Sequence, residues 1–146
     1  MRQLKIVIAD GHRLMIHALR FVLDDDPGLE VVGESCDGAE VLPLVGRTEP
    51  DVVLLDLRMP RVDGLTCLGH LQARYPSVRV AILSGTDDPD VIRAAFKAGA
   101  AAFIVKHIDP VDLPAAIRQA VQATVYQPFG SVPELARPGV KTIGLT

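Results

Sequence analysis

Five short apolar runs, each followed by a segment of helical spacing, constrain this chain more than any other feature. They occupy residues 4–9, 30–34, 52–55, 78–83 and 101–105. Four of them are apolar almost without interruption, which is the pattern of strands covered on both faces. The segments that follow change period. In the first, Leu14, Ala18, Phe21 and Val22 share a helical face and are the expected core contacts. In the last, Leu113, Ile117, Ala120 and Val121 do the same. Helix starts are marked by acids. Asp37-x-x-Glu40 has the form of a capping box, while Asp88-Pro89 and Asp109-Pro110 each set an N-cap acid before a proline. A strand–helix unit repeated five times with right-handed crossovers predicts a doubly wound (βα)5 three-layer α/β sandwich.

Such a fold needs a core, and 146 residues of which 49% are apolar suffice for one domain. The net charge of -3 and the lack of a basic cluster argue against these residues gripping DNA themselves. Without tryptophan, and with aromatics at 4%, a stacking platform for single strands is not expected either. No apolar run has the length of a membrane span, and the N-terminus has no signal-peptide core. Cys36 and Cys67 have neither C-x-x-C nor metal spacing and read as reduced thiols, so a cytoplasmic protein is expected. His12, His17, His70 and His107 show no metal-ligand spacing. After Thr124 the texture changes. Prolines 128, 133 and 138 and glycines 130, 139 and 144 mark residues 125–146 as a linker or tail, with Tyr126 and Phe129 as its aromatics.

In open parallel sheets, ligands bind beyond the carboxyl ends of the strands. The polar residues at those ends are Asp10, Asp56, Ser84 and Lys106. Singly, each has an ordinary role: an acid caps the next turn, a serine closes an ST-turn, a lysine faces water. Together they compose a phosphoryl-transfer site. Asp56 can act as nucleophile and carry a phosphoryl group as an acyl phosphate. Mg²⁺ held by oxygen ligands neutralises the approach of a dianionic donor. Lys106 adds a point charge, and the Ser84 hydroxyl adds a hydrogen bond.

These residues sit inside longer motifs. Asp56-Leu-Arg-Met-Pro-Arg-Val-Asp-Gly64 resembles the D-x-x-M-P-x-x-D-G block of bacterial response regulator receiver domains. Ser84-Gly85 resembles that family's hydroxyl-plus-small pair, and Gly99-Ala-Ala-Ala-Phe-Ile-Val-Lys106 its G-A-x-x-[YF]-[LIV]-x-K ending. The likeness covers residues 4–124, so residues 1–124 are expected to form the receiver. It implies a flavodoxin-like five-stranded sheet in the order 2-1-3-4-5. It further implies Asp56 as phospho-acceptor, Lys106 as its phosphate contact, and Ser84 and Phe103 as the switch pair. Asp10, Asp56 and the backbone carbonyl of Arg58 would be the Mg²⁺ ligands, and a sensor histidine kinase the partner. The protein would accept a phosphoryl group rather than turn over a substrate. His107 after the lysine, and Asp109-Pro110-x-Asp-Leu, resemble the subfamily with a LuxR-type helix-turn-helix output. Leu145-Thr146 resembles the start of that output, so DNA would be bound only through a domain absent from this chain. A homodimer is expected from the family, through helix 1 or through helices 4 and 5.

One position departs from the pattern. Receivers usually carry two adjacent acids after strand 1, and here the second is Gly11. The loss removes one carboxylate ligand and one charge, so weaker Mg²⁺ binding is expected, and Gly11→Asp is expected to strengthen it. Two readings follow: a working phospho-switch, or an atypical receiver acting through protein contacts without phosphorylation. Other classes fit less well. The strand-1 loop lacks the G-x-G-x-x-G of a dinucleotide site and the hydroxyl-rich phosphate loop of a flavodoxin. Arg58 also stands where a haloacid-dehalogenase-type phosphatase has its second acid. Asp24-Asp-Asp reads as a solvated turn, Asp63 as the N-cap of helix 3 and His12 as a neighbour of the pocket.

Overall fold

The computed structural model describes residues 3–122, 124–127 and 140–142. The central strands are β1 (Leu4–Ala9), β2 (Leu29–Ser35), β3 (Val52–Leu55), β4 (Arg79–Ser84) and β5 (Ala102–Val105). They pair in parallel in the order 2-1-3-4-5, as expected. Helices α1 (Arg13–Asp24), α2 (Val41–Thr48), α3 (Gly64–Arg74), α4 (Pro89–Lys97) and α5 (Leu113–Gln122) complete the five units. Two short strands, β6 (Thr124–Gln127) and β7 (Val140–Thr142), extend the sheet in parallel beyond β5. Residues 125–146 were expected to be linker throughout. Thr124-Val-Tyr-Gln favours strand, and it pairs the N–H and C=O groups that β5 would otherwise leave open. Phe129, the tail's prolines and glycines, and Leu145-Thr146 lie outside the described residues.

The sheet separates two apolar layers. On one side Leu44 and Val45 of α2, Leu68 and Leu71 of α3, and Ile92 and Phe96 of α4 close over Val7, Val53, Ile82 and Phe103. On the other, Ile16, Leu19 and Leu23 of α1 and Ala116, Ile117 and Ala120 of α5 cover Ile6, Ile8, Leu54 and Ile104. The α5 face is the expected one, but the α1 face is not. Leu14 and Phe21 are each 82% exposed, because α1 carries two apolar stripes at helical spacing and the sheet takes Ile16, Leu19 and Leu23.

Acids start the helices as expected. Asp63 and Asp88 accept from the N–H groups of Thr66 and Asp90, both at 2.9 Å. Asp37 and Asp109 instead cap 3-10 turns, at Gly38–Glu40 and Pro110–Asp112, that lead into α2 and α5. Arg118 of α5 clamps the turn after α1 by pairing with Asp26 at 2.5 Å, which holds that carboxyl below its ordinary range. Burial pushes the Cys67 thiol up to about 11, so it is unreactive at neutral pH, while Cys36 is half-buried.

Candidate functional site

Sheet order decides what meets what. Because β1, β3, β4 and β5 are consecutive neighbours, the residues leaving their carboxyl ends form a row. Backbone bonds continue the ladder past the strands: the Asp56 N–H donates to the Ala9 carbonyl at 2.8 Å, and the Lys106 N–H to the Ser84 carbonyl at 2.7 Å. On the other side of β1, the Asp10 N–H donates to the Ser35 carbonyl at 3.1 Å. The four expected residues are thus delivered to one edge by backbone geometry.

Their side chains converge as well. Asp10 and Asp56 are buried, and Lys106 places its Nζ 3.2 Å from Asp10 Oδ2 and 3.4 Å from Asp56 Oδ2. One ammonium therefore faces two carboxylates, leaving the pocket net negative. Neither Oδ2 has a well-formed hydrogen bond. The other oxygens are used: Asp10 Oδ1 accepts from the His12 N–H at 2.9 Å and Asp56 Oδ1 from the Arg58 N–H at 3.3 Å. Buried, anionic, under-satisfied oxygens suit a divalent cation, so the donor set fits Mg²⁺. A cleft of about 410 Å³ opens above them, lined by His12, Asp56, Arg58, Ser84, Thr86 and Lys106 among others.

Ser84 is buried at the rim, its hydroxyl accepting from the Thr86 N–H at 3.2 Å. Phe103 lies inward of it, two positions before the β5 partner of Ser84 and fully buried in the layer with Phe96 and Ile92. Arg58 has an exposed side chain. What it brings to the site is backbone.

The glycine that ends the Asp56–Gly64 motif has a steric reason. A Cβ on Gly64 would stand 2.4 Å from the Asp56 carbonyl oxygen and 2.5 Å from the Leu57 Cα. The Gly64 N–H donates to the Leu57 carbonyl at 2.9 Å, so the start of α3 presses on the backbone that aims Asp56.

Gly11 is constrained in the same way. A Cβ there would stand 2.6 Å from the Arg58 carbonyl oxygen. The position of the second acid is therefore not open space; the Arg58 carbonyl of the loop after β3 stands against Gly11. This alters the expectation for Gly11→Asp, because any side chain must first push that carbonyl away. Gly11→Ala is expected to lower the melting temperature, at a cost of about 1–2 kcal/mol. Gly11→Asp should carry the same cost against whatever Mg²⁺ affinity it gains. Thermal melts of the metal-free variants check this, and melts matching the parent would show that the loop yields freely.

Sequence reasoning placed His12 beside the pocket but gave it no metal role. Its Nδ1 lies 3.6 Å from Asp10 Oδ1, and one ligand atom each from Asp10, His12 and Asp56 fall within 4.8 Å of one another. The only signal was its position two residues after a pocket acid. His17, His70 and His107 are not part of this group.

Comparison with known proteins agrees with this geometry. A family model described as the response regulator receiver domain matches residues 6–118. The chain is 39% identical over 114 residues to the nitrate/nitrite response regulator protein NarP of Escherichia coli, covering 78% of this chain and 53% of that protein. It is 35% identical over 124 residues to the transcriptional regulatory protein DegU of Brevibacillus brevis, covering 85% and 52%. The chain thus spans about half the length of the curated relatives it matches. Among solved structures, the signal receiver domain of the response regulator NarL from Mycobacterium tuberculosis superposes with a TM-score of 0.80 at 30% identity, covering 84% of this chain and 98% of that one. The response regulator domain of CheB from Thermotoga maritima gives a TM-score of 0.77 at 26% identity, covering 83% of this chain and 98% of that one.

Proposed function

The chain belongs to the response regulator receiver domain family, and from that premise we propose that it is a working phospho-acceptor whose nucleophile is Asp56. The observation that carries this reading is the Lys106 ammonium held against both buried carboxylates at the mouth of the cleft. An Asp56 carboxylate oxygen attacks the phosphorus of the donor, the bond from phosphorus to the donor's leaving group breaks, and the leaving group departs with its electron pair. Lys106 neutralises charge on the transferred group, and the Ser84 hydroxyl turns from the Thr86 N–H to donate to it. Bound Mg²⁺, held by Asp10, Asp56 and the Arg58 carbonyl, would supply charge neutralisation. Moving Ser84 toward the phosphoryl group frees room at the end of β4 into which Phe103 can shift, repacking the face around α4 and α5.

The physiological donor is a sensor histidine kinase in this reading. Residues 1–124 are the receiver and 125–146 lead toward a DNA-binding output beyond this chain, as the half-length coverage of NarP and DegU supports. Among the described residues no helix is long and apolar enough to cross a membrane. The test is intact mass after incubation with acetyl phosphate and Mg²⁺. The expected result is one added phosphoryl group in the parent; no gain with acetyl phosphate or with a phosphorylated kinase would favour the phosphorylation-independent reading.

The receiver also dimerises in this reading, and the second stripe of α1 selects the surface. Among the described residues, Leu14 and Phe21 of α1 and Val111 before α5 are the large apolar residues that stand more than four-fifths exposed, at 82%, 82% and 81%. Phe21 and Val111 line a cleft of about 720 Å³ between α1 and α5. A second copy covering this patch would bury them. Phe21→Glu is expected to weaken self-association by about tenfold or more without changing the melting temperature of the monomer. Sedimentation of both forms checks this, and unchanged association would move the interface elsewhere.

A further inference from the structure

The pocket has lost an oxygen ligand at Gly11 and gained a nitrogen beside it. We propose that the His12 imidazole is a third side-chain ligand of the receiver's cation, so that the site takes a divalent transition metal such as Mn²⁺ or Co²⁺ in preference to Mg²⁺. The inference rests on the metal-dependent pocket of the preceding reading, but not on phosphoryl transfer itself.

Three observations support it. First, the His12 backbone is fixed: its N–H donates to Asp10 Oδ1 at 2.9 Å and its carbonyl accepts from the Ile16 N–H at 3.2 Å. That places Nδ1 3.6 Å from Asp10 Oδ1, while the side chain remains 74% exposed and able to turn. Second, donor atoms of Asp10, His12 and Asp56 already lie within 4.8 Å of one another. Ligands sharing an octahedral ion at about 2.1 Å stand roughly 3–4 Å apart, so adjustments of well under an ångström per atom complete the set. Third, Asp10 Oδ2 and Asp56 Oδ2 are buried acceptors without a well-formed hydrogen bond, and the Arg58 carbonyl stands against Gly11, the residue between Asp10 and His12.

The donor chemistry then decides the ion. Mg²⁺ depends on anionic oxygen and charge, and here two carboxylates are partly offset by Lys106. Imidazole adds no charge and suits transition metals far better than Mg²⁺. Two carboxylates, a carbonyl and an imidazole therefore favour the softer ion, with water filling the remaining positions.

Transition metals bind most oxygen sites more tightly than Mg²⁺ does, so a preference in the parent alone decides nothing. The informative measurement is the effect of His12→Ala on each ion, by calorimetric titration of the untagged chain with Mg²⁺, Mn²⁺ and Co²⁺. His12→Ala should weaken Co²⁺ and Mn²⁺ by about tenfold while leaving Mg²⁺ within about twofold. Pulsed electron paramagnetic resonance of the Mn²⁺ form should show a directly bound nitrogen that the variant lacks. Asp56→Asn should weaken Co²⁺ too, since the site is shared. Equal effects of His12→Ala on all three ions, no nitrogen signal, or Co²⁺ binding indifferent to Asp56 would each overturn the proposal. Phosphoryl uptake with Mg²⁺ in the His12→Ala variant would leave the preceding reading intact. A nitrogen signal without phosphoryl uptake would sink that reading and keep this one.

Discussion

Asp56→Asn is expected to abolish phosphoryl uptake and, at the same time, to make the domain more stable. The first effect follows from chemistry, since an amide cannot replace the carboxylate as nucleophile. The second follows from competing magnitudes. At an effective dielectric of about 20, the attraction between Asp56 and Lys106 at 3.4 Å is roughly 5 kcal/mol. Repulsion from Asp10, across a pair of donor atoms no more than 4.8 Å apart, is roughly 3 kcal/mol or more on the same scale. Removing the charge thus loses a net attraction of about 1–2 kcal/mol, but it also lifts the desolvation of a buried carboxylate, which is several kcal/mol per ion. Desolvation wins. A gain of about 1–2 kcal/mol should appear as a melting temperature raised by roughly 5 °C. Intact mass with acetyl phosphate reads the first effect and calorimetry the second. A lower melting temperature would mean that Lys106 more than offsets the burial of this acid.

The row of residues behind that trade was legible in the sequence, because a buried strand must end somewhere and four of these end in polar residues at one sheet edge. Asp10, Asp56, Ser84 and Lys106 could be gathered from their places at strand ends, since uninterrupted apolar runs indicate a parallel sheet, while the strand order came with the family resemblance. Features that depend on packing between distant segments were not legible. Leu14 and Phe21 have the same helical spacing as a core stripe, and only the docked sheet shows that Ile16, Leu19 and Leu23 occupy that role. Gly11 reads as a lost ligand, yet its space is taken by a carbonyl 47 positions later in the chain, Arg58. His12 has no motif because its partners are one acid two residues before it and another on a different strand.

Lys106→Met should be the most destabilising single change at the site. Methionine keeps the apolar stem and its packing while removing the charge, so the variant isolates the ammonium. Without it, Asp10 and Asp56 remain buried against each other with no other lysine or arginine paired to them among the described residues. Breaking a buried pair by removing one partner costs more than the pair contributes, because the surviving charge keeps its desolvation. Here two charges survive. A loss of about 3–5 kcal/mol is expected, lowering the melting temperature by roughly 10 °C or more. The cost should shrink in the Asp56→Asn background, where only Asp10 is left to compensate, giving a coupling of about 1–2 kcal/mol between the two positions. Added divalent cation should recover part of the loss in Lys106→Met, since it can take over the neutralising role at the same oxygens. A Lys106→Met protein that melts with the parent, or a double variant in which the two effects simply add, would show that the carboxylates are screened by water and that the lysine does not hold the pocket together.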